Sequence, residues 1–145
     1  MTPRDLDTQI VVRRLLLLDE LLDDLRRVAD DPDRLTHDRL ARRGIERVLT
    51  QLVELASDIN GHIAATRLHS SPGSYRDSFT LAARAGVISD ELAADLLPSV
   101  GLRNVLVHEY VDVDAARVVA AVPLAAAAYG RYVAGVRDWL TDPGA

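Results

Sequence analysis

A long apolar repeat of helical period limits the possible folds more than any other feature of this chain. Between positions 45 and 63, apolar residues recur at spacings of three and four, which places them on one face of an α-helix. We therefore predict one helix from about Thr36 to about Leu68, long enough to be the central element of a helical bundle. The stripe consists of Ile45, Val48, Leu49, Leu52, Val53, Ala56, Ile59 and Ile63.

The flanking segments carry start and stop signals of further helices. An amphipathic pattern predicts a first helix over Asp5–Ala29, which Pro32 in an Asp-rich turn then breaks. Ser74 and Ser89 stand where helix N-caps are expected. Gly86 follows the shorter of these two helices at the position of a left-handed C-terminal cap.

Two prolines are predicted to interrupt the helices of the second half. Pro98 breaks or restarts the helix that begins after Ser89, so that the segment around Arg103 occupies the short helix that follows. The last helix opens at Asp112 or Asp114 and runs towards residue 140, with a kink at Pro123.

The composition agrees with a fold made only of helices. Aromatic residues make up 4% of the chain, so the core must consist of Leu, Val, Ile and Ala, and no segment is a strong strand candidate. We predict a single domain over residues 1–145, all-α, folded as an up-and-down bundle of about five helices.

Several functional classes are excluded or disfavoured by residue usage. The chain has no cysteine, which excludes disulfides and thiolate sites. His37, His62 and His69 show no metal-ligand spacing, so we predict no metal site. A net charge of −5 means that nucleic-acid binding requires a local basic patch. No uncharged apolar segment reaches about 18 residues, so we expect a cytoplasmic protein without a membrane association.

A compact polar group interrupts an otherwise apolar segment of the second half. It comprises Arg103, Asn104, His108 and Tyr110. Arginine is a fixed cation whose planar fork suits phosphate oxygens, and histidine exchanges protons near neutral pH. This group indicates phosphodiester or nucleotide chemistry. Five residues separate Arg103 from His108, which is about 140° of rotation on a regular helix. Either the helix ends or distorts near His108, or two copies of the chain complete one site.

This pattern, in its helical context, resembles the HepT-like toxins of the HEPN superfamily. The resemblance runs from about Arg43 to Leu140. Its motifs are Tyr75-Arg76-Asp77-Ser78-Phe79, the segment from Leu81 to Ile88, Gly101-Leu102-Arg103-Asn104 and Val107-His108-Glu109-Tyr110.

The resemblance implies a specific function. Such proteins are toxins of type VII-like toxin–antitoxin pairs: homodimeric endoribonucleases that need no metal or cofactor and are neutralised by a minimal nucleotidyltransferase antitoxin. Arg103 and His108 match the catalytic pair and Asn104 the supporting polar position. Tyr110 matches the tyrosine that the antitoxin modifies with AMP. In that chemistry His108 transfers protons and Arg103 stabilises the phosphate, while AMP on Tyr110 would repel RNA.

Less specific interpretations stay open at this point. The bundle can instead be a non-catalytic nucleotide- or partner-binding module that a nucleotidyltransferase modifies, or a plain dimerisation domain. Arg103 could form only a structural ion pair with Glu109 or Asp112. A stripe of Arg39, Arg43 and Arg47, with Arg42 beside it, could contact phosphates, although a solvated helix face is the simpler interpretation.

Overall fold

Six helices account for the regular structure of the described part of the chain. The computed structural model describes residues 6–108 and 113–141. No strand occurs within these residues, which confirms the all-α prediction. The helices are α1 (Thr8–Ala29), α2 (Pro32–His37), α3 (Arg39–Arg67), α4 (Tyr75–Arg84), α5 (Asp90–His108) and α6 (Ala115–Thr141).

Helix α3 is the central element of the bundle, as its apolar repeat predicts. It packs against each of the other five helices. All eight residues of the predicted stripe are buried, and so are Asn60 and Ala64, which lie within the stripe and at its edge. Because α3 is covered from several directions, its neighbours are arranged around it, and each of them adds residues to one continuous apolar core.

The turn after α1 holds a helix that the sequence interpretation missed. Pro32 begins α2 instead of only ending α1, because proline is tolerated in the first helical turn and the Asp31 carboxylate accepts a hydrogen bond from the Arg34 amide at 3.3 Å. Asp38 caps α3 in the same way, through the Ala41 amide at 3.1 Å. The predicted start near Thr36 was therefore too early, and the bundle has six helices instead of about five.

The prediction that Pro98 divides α5 is wrong. The helix runs without interruption from Asp90 to His108. Proline removes one backbone hydrogen bond and costs about 3 kcal/mol inside a helix. Buried side chains on both sides of it, including Leu96, Val100 and Leu102, hold the two halves in one line against the core. The Arg103 segment therefore belongs to a long anchored helix and not to a short independent one.

Helix α6 is the most apolar helix of the bundle. It begins after Asp114, whose carboxylate accepts a hydrogen bond from the Ala116 amide at 3.0 Å, and it continues through Pro123. By length and composition this helix could cross a membrane. It did not meet the sequence criterion above, because that criterion required a segment without charged residues. In the fold, however, α6 buries nine residues against α1, α2, α3 and α5, as the core helix of a bundle does.

A buried polar network joins α6 to α3 and α4. The Tyr132 hydroxyl donates to Asn60 Oδ1 at 2.6 Å and lies 3.1 Å from the Ala56 carbonyl oxygen. Asn60 Nδ2 in turn donates to Ser78 Oγ at 3.4 Å. The Phe79 ring meets the Tyr132 ring edge to face, with centroids 6.2 Å apart. Such paired polar groups fix one arrangement of the three helices.

A second tyrosine ties α6 to α5. The Tyr129 hydroxyl lies 2.7 Å from Ser99 Oγ, and Ser99 also bonds the Leu96 carbonyl oxygen at 2.6 Å. Burial raises the pKa of Tyr129, partly offset by the bond to Ser99. Burial also raises the pKa of Tyr132, and the neighbouring Tyr129 adds to that rise. Both hydroxyls therefore stay protonated in the folded protein.

The two buried tyrosines predict a loss of stability in alkali. Above the ordinary tyrosine pKa of about 10, the unfolded chain releases these protons while the folded chain keeps them, so the free energy of unfolding falls as pH rises. Each tyrosine contributes about 1.4 kcal/mol per pH unit in that range. Urea unfolding between pH 9 and 12 measures the slope. Tyr132→Phe should show a smaller slope, together with a loss of about 1–3 kcal/mol at pH 7 because Asn60 loses its donor. Equal slopes for parent and variant would contradict the assignment.

Candidate active site

Arg103 lies on the face of α5 that packs against α3 and α4. Its side chain is only 14% exposed, and an arginine buried to this extent is usually paired. Nη2 lies 3.5 Å from Oε1 of Glu54, a residue of α3. The guanidinium is therefore held inside a shallow cleft between helices instead of extending into solvent.

The Tyr75 ring contacts the same guanidinium. The central guanidinium carbon lies 4.6 Å from the centroid of the Tyr75 ring, within cation–π range. Tyr75 is the first residue of α4, and the capping of that helix fixes its position. Ser74 Oγ accepts the Asp77 amide at 3.0 Å, and the Asp77 carboxylate accepts the Gly73 amide at 2.9 Å. These bonds confirm the cap predicted at Ser74.

The present contacts of the Arg103 nitrogens satisfy their hydrogen-bonding capacity only in part. Nη1 donates to Asn104 Oδ1 at 3.3 Å, and Nε is buried without a partner among the described residues. Charge-assisted bonds to an anion are shorter, about 2.7–2.9 Å. Both Nη contacts exceed that length, so a phosphate oxygen could bind this fork more tightly than its present neighbours do. The side chain of Asn104 therefore bonds Arg103 and does not bond a histidine within the described residues.

His108 occupies a different environment. It is the last residue of α5 and is exposed, and its ring has no hydrogen-bond partner within residues 6–108 and 113–141. The helix is regular from Arg103 to His108, so the two side chains leave it about 140° apart. The helix is undistorted up to His108, its last described residue. A single chain therefore does not turn both side chains to one side of α5.

The remaining motif residue, Tyr110, lies outside the described residues, as do Glu109 and Asp112. The partner that the structure gives Arg103 is Glu54, which the sequence interpretation did not single out. One signal was available: Glu54 is a carboxylate within the apolar stretch Leu52–Ala56 of the central helix. Tyr75 belongs to the first of the motifs that carry the family resemblance, and its ring packs against the guanidinium of Arg103.

A groove of about 450 Å³ adjoins the Arg103 cleft. It lies between α3, the α3–α4 loop, the start of α4 and α5. Its lining residues are Ser57, Pro72, Gly73, Ser74, Tyr75, Arg76, Val100 and Asn104. A larger groove of about 600 Å³ lies between α5 and α6 and is mostly apolar. It contains Leu102 but none of Arg103, Asn104 and His108, so it is separate from the motif.

Other charged residues noted in the sequence either make structural hydrogen bonds or are exposed to solvent. Arg42 donates to the carbonyl oxygens of Leu35 and Thr36 at 3.1 and 3.2 Å, which ties α3 to α2. Arg39, Arg43 and Arg47 are exposed along one face of α3. Within the described part of the chain, no group of three or more His, Asp or Glu side chains could hold a metal ion.

Comparison with known proteins identifies relatives of this architecture. The ribonuclease HepT-like family model matches residues 18–123. A protein named tRNA nuclease HepT from Aphanizomenon flos-aquae is 35% identical over 95 residues, which are 66% of this chain and 65% of that protein. This chain thus spans slightly less than two thirds of that relative's length. A protein named mRNA nuclease HepT from Shewanella oneidensis is 29% identical over 105 residues, 72% of this chain and 79% of that one.

Solved structures agree with these relatives. The tri-AMPylated HEPN toxin of Shewanella oneidensis, in complex with its MNT antitoxin, superposes with a TM-score of 0.80 at 26% identity, covering 89% of this chain and 97% of that one. The cytosolic protein YutE of Bacillus subtilis, of unknown function, shares the fold at 17% identity, with a TM-score of 0.80 over 96% of this chain and 94% of that one. The family match covers most of the sequence and includes the Arg103 segment, so the resemblance seen in the motifs is confirmed. The chain belongs to the HepT-like ribonuclease family.

Proposed function

We propose that this protein is a metal-independent endoribonuclease and the toxin of a type VII-like toxin–antitoxin pair. One observation carries the proposal: Arg103 is held in a cleft by Glu54 and Tyr75, and its bonds are longer than those a phosphate would make. This arginine opens the Arg-Asn-x3-His-x-Tyr motif of the chain. The names of two relatives, a tRNA nuclease and an mRNA nuclease, support RNA as the substrate.

The proposed reaction is an internal transfer at phosphorus. The ribose 2′-oxygen bonds to the adjacent phosphorus while the bond from phosphorus to the 5′-oxygen breaks. A base accepts the 2′-hydroxyl proton, and an acid gives a proton to the departing 5′-oxygen. His108 has the chemistry for either step because imidazole exchanges protons near neutral pH. Arg103 stabilises the negative charge that develops on the phosphate oxygens.

Two copies of the chain are needed in this scheme. Arg103 and His108 leave α5 about 140° apart, and each chain offers one motif histidine for two proton transfers. We propose a homodimer in which the motif helices of both copies border one cleft, so that His108 of the second copy completes the site at Arg103. The exposed side chains of Val107 and His108 at the end of α5 agree with such a contact.

The proposed regulator is a minimal nucleotidyltransferase antitoxin that transfers AMP to Tyr110. The structure of an AMP-modified relative bound to its MNT antitoxin supports this partner. Tyr110 follows His108 by two residues in the sequence. AMP at that place adds negative charge and bulk beside the phosphate site and would exclude RNA. A cytoplasmic location belongs to the same proposal, because the protein would meet both RNA and such a partner there.

A non-catalytic module is the alternative function. Its support is the solitary position of His108, which has no partner among the described residues that would orient its ring. In that case Arg103 would hold a nucleotide phosphate, and the chain would serve only as the target of the nucleotidyltransferase.

His108→Ala separates the two functions. We expect cells that express the parent chain to stop growing and to accumulate new RNA ends, with both effects lost in the variant because the proton-transfer group is gone. The rate of RNA cleavage in vitro should fall by about 10²–10⁴-fold. His37→Ala is the matched control, since His37 is an exposed histidine on α2 whose ring bonds only a local carbonyl oxygen. Sequencing of transfer and messenger RNA ends gives the substrate class. Persistent cleavage by His108→Ala would contradict the catalytic assignment.

The Arg103 cleft predicts that Glu54 and Tyr75 position the arginine. Glu54→Gln removes the negative charge of the ion pair, and Tyr75→Leu removes the aromatic ring. Because each contact contributes roughly 0.5–2 kcal/mol, we expect each substitution to lower kcat/KM about tenfold. Tyr75→Phe keeps the ring and should restore most of the activity. Asp58→Asn is the control on the same helix, because Asp58 pairs with Arg14 on α1 instead. Parental activity in Tyr75→Leu would show that the ring does not position Arg103.

Modification of Tyr110 is testable by mass spectrometry. The chain incubated with its nucleotidyltransferase, ATP and Mg²⁺ should gain AMP on the peptide that contains Tyr110 and lose RNA cleavage. Tyr110→Phe should remain unmodified at that position and stay active in the presence of the antitoxin. AMP found only on other tyrosines, with cleavage still inhibited, would remove Tyr110 from the regulatory role.

A further inference from the structure

We propose that the groove of about 450 Å³ beside Arg103 binds the RNA nucleotide next to the cleaved phosphate, and that Arg76 holds a neighbouring phosphate of the strand. This inference rests on the proposed ribonuclease function. It adds a substrate subsite and a residue, Arg76, that lies outside the Arg-x4-His-x-Tyr motif.

The groove is continuous with the Arg103 cleft. Two of its lining residues, Tyr75 and Asn104, are also the residues that contact the Arg103 guanidinium, one through its ring and the other through its amide oxygen. A strand with one phosphate at Arg103 therefore has the groove directly beside it. The groove is also on the other side of α5 from the larger apolar groove that contains Leu102.

The size and lining of the groove suit a nucleotide. Its volume falls within the range of small-molecule sites, about 300–1,000 Å³. Ser57 and Asn104 supply donors and acceptors that can bond base edges or ribose hydroxyls. Ser74 Oγ already accepts the Asp77 amide, so the helix end is capped internally and is not itself the anion site.

The charge of the groove is opposite to that of the chain as a whole. The sequence carries 22 acidic and 17 basic residues, yet none of the residues lining the groove is acidic. The nearest described carboxylate of α4, Asp77, is engaged by the Gly73 amide. RNA binding by an acidic protein requires local positive charge, and Arg76 supplies it in the groove, next to the residues that contact the Glu54-paired Arg103.

Arg76 is available to a phosphate. Its side chain is exposed and makes no ion pair within residues 6–108 and 113–141. Several other arginines have partners, such as Arg131 with Asp95 at 3.0 Å and Arg137 with Asp19 at 2.7 Å. A guanidinium without a carboxylate partner loses no ion pair when it binds the strand. RNA is favoured over a protein partner here because the groove continues into the proposed catalytic cleft.

RNA binding by a variant expected to lack cleavage activity tests the subsite. All variants are made in the His108→Ala protein, and a fluorescent single-stranded RNA is titrated at several salt concentrations by anisotropy. Arg76→Ala should weaken binding about five- to tenfold and reduce the slope of log K against log salt by about 0.7, the value for one phosphate contact on a single strand. Arg76→Lys should keep the slope. Arg84→Ala is the matched control, an exposed arginine at the far end of α4 that changes net charge equally.

The outcomes separate the subsite from the rest of the proposal. Equal effects of Arg76→Ala and Arg84→Ala on RNA binding would show that only the net charge matters, which would overturn the proposed contact. Loss of antitoxin binding with unchanged RNA binding would assign the groove to the protein partner and also overturn it. Either result leaves the ribonuclease function standing, since that depends on cleavage by the parent and its loss in His108→Ala. Thermal melting followed by circular dichroism confirms that each variant is folded.

Discussion

The arrangement of the site depends on the burial of α3 among the other helices. Its apolar stripe forms the centre of the core, and its one fully buried amide, Asn60, bonds Tyr132 of α6 and Ser78 of α4. An unpaired amide at this depth would cost about 1–3 kcal/mol, so α4 and α6 can pack on α3 in few other registers. The same register places Glu54 of α3 and Tyr75 of α4 around Arg103 of α5. The geometry of the cleft is therefore a result of core packing.

The state of Arg103 shows how a folded bundle can keep a largely buried cation able to accept a further anionic partner. A fully buried arginine would need complete pairing, whereas a fully exposed one would be mobile and hydrated. Arg103 lies between these limits, with an ion pair at 3.5 Å, a ring beneath its plane and one buried nitrogen without a partner in the described structure. Its orientation is fixed before a phosphate arrives, so less conformational entropy is lost on binding. Incomplete pairing of this kind is what the proposed phosphate-binding role of Arg103 requires.

Local signals predicted most of the fold, and contacts between distant segments account for what they missed. The stripe of α3 and the caps at Ser74 and Ser89 depend on neighbouring residues only, and the structure confirms them. Pro98 was misjudged because core packing on both sides outweighs its local cost. The pairing of Arg103 with Glu54 joins two helices far apart in sequence, so no spacing rule reveals it. The motif itself was evident from residue types, whereas the directions of Arg103 and His108 required the bounds of α5.

The ion pair between Glu54 and Arg103 also has an evolutionary consequence. If RNA chemistry fixes the arginine, selection acts on the position of Glu54 indirectly, through the cost of leaving a half-buried cation without a counter-charge. A relative that lost this acidic residue would be expected to carry a carboxylate elsewhere around the cleft, on α3 or α4. The two acidic positions should then vary together across the family, although neither belongs to the motif by which such sequences are recognised.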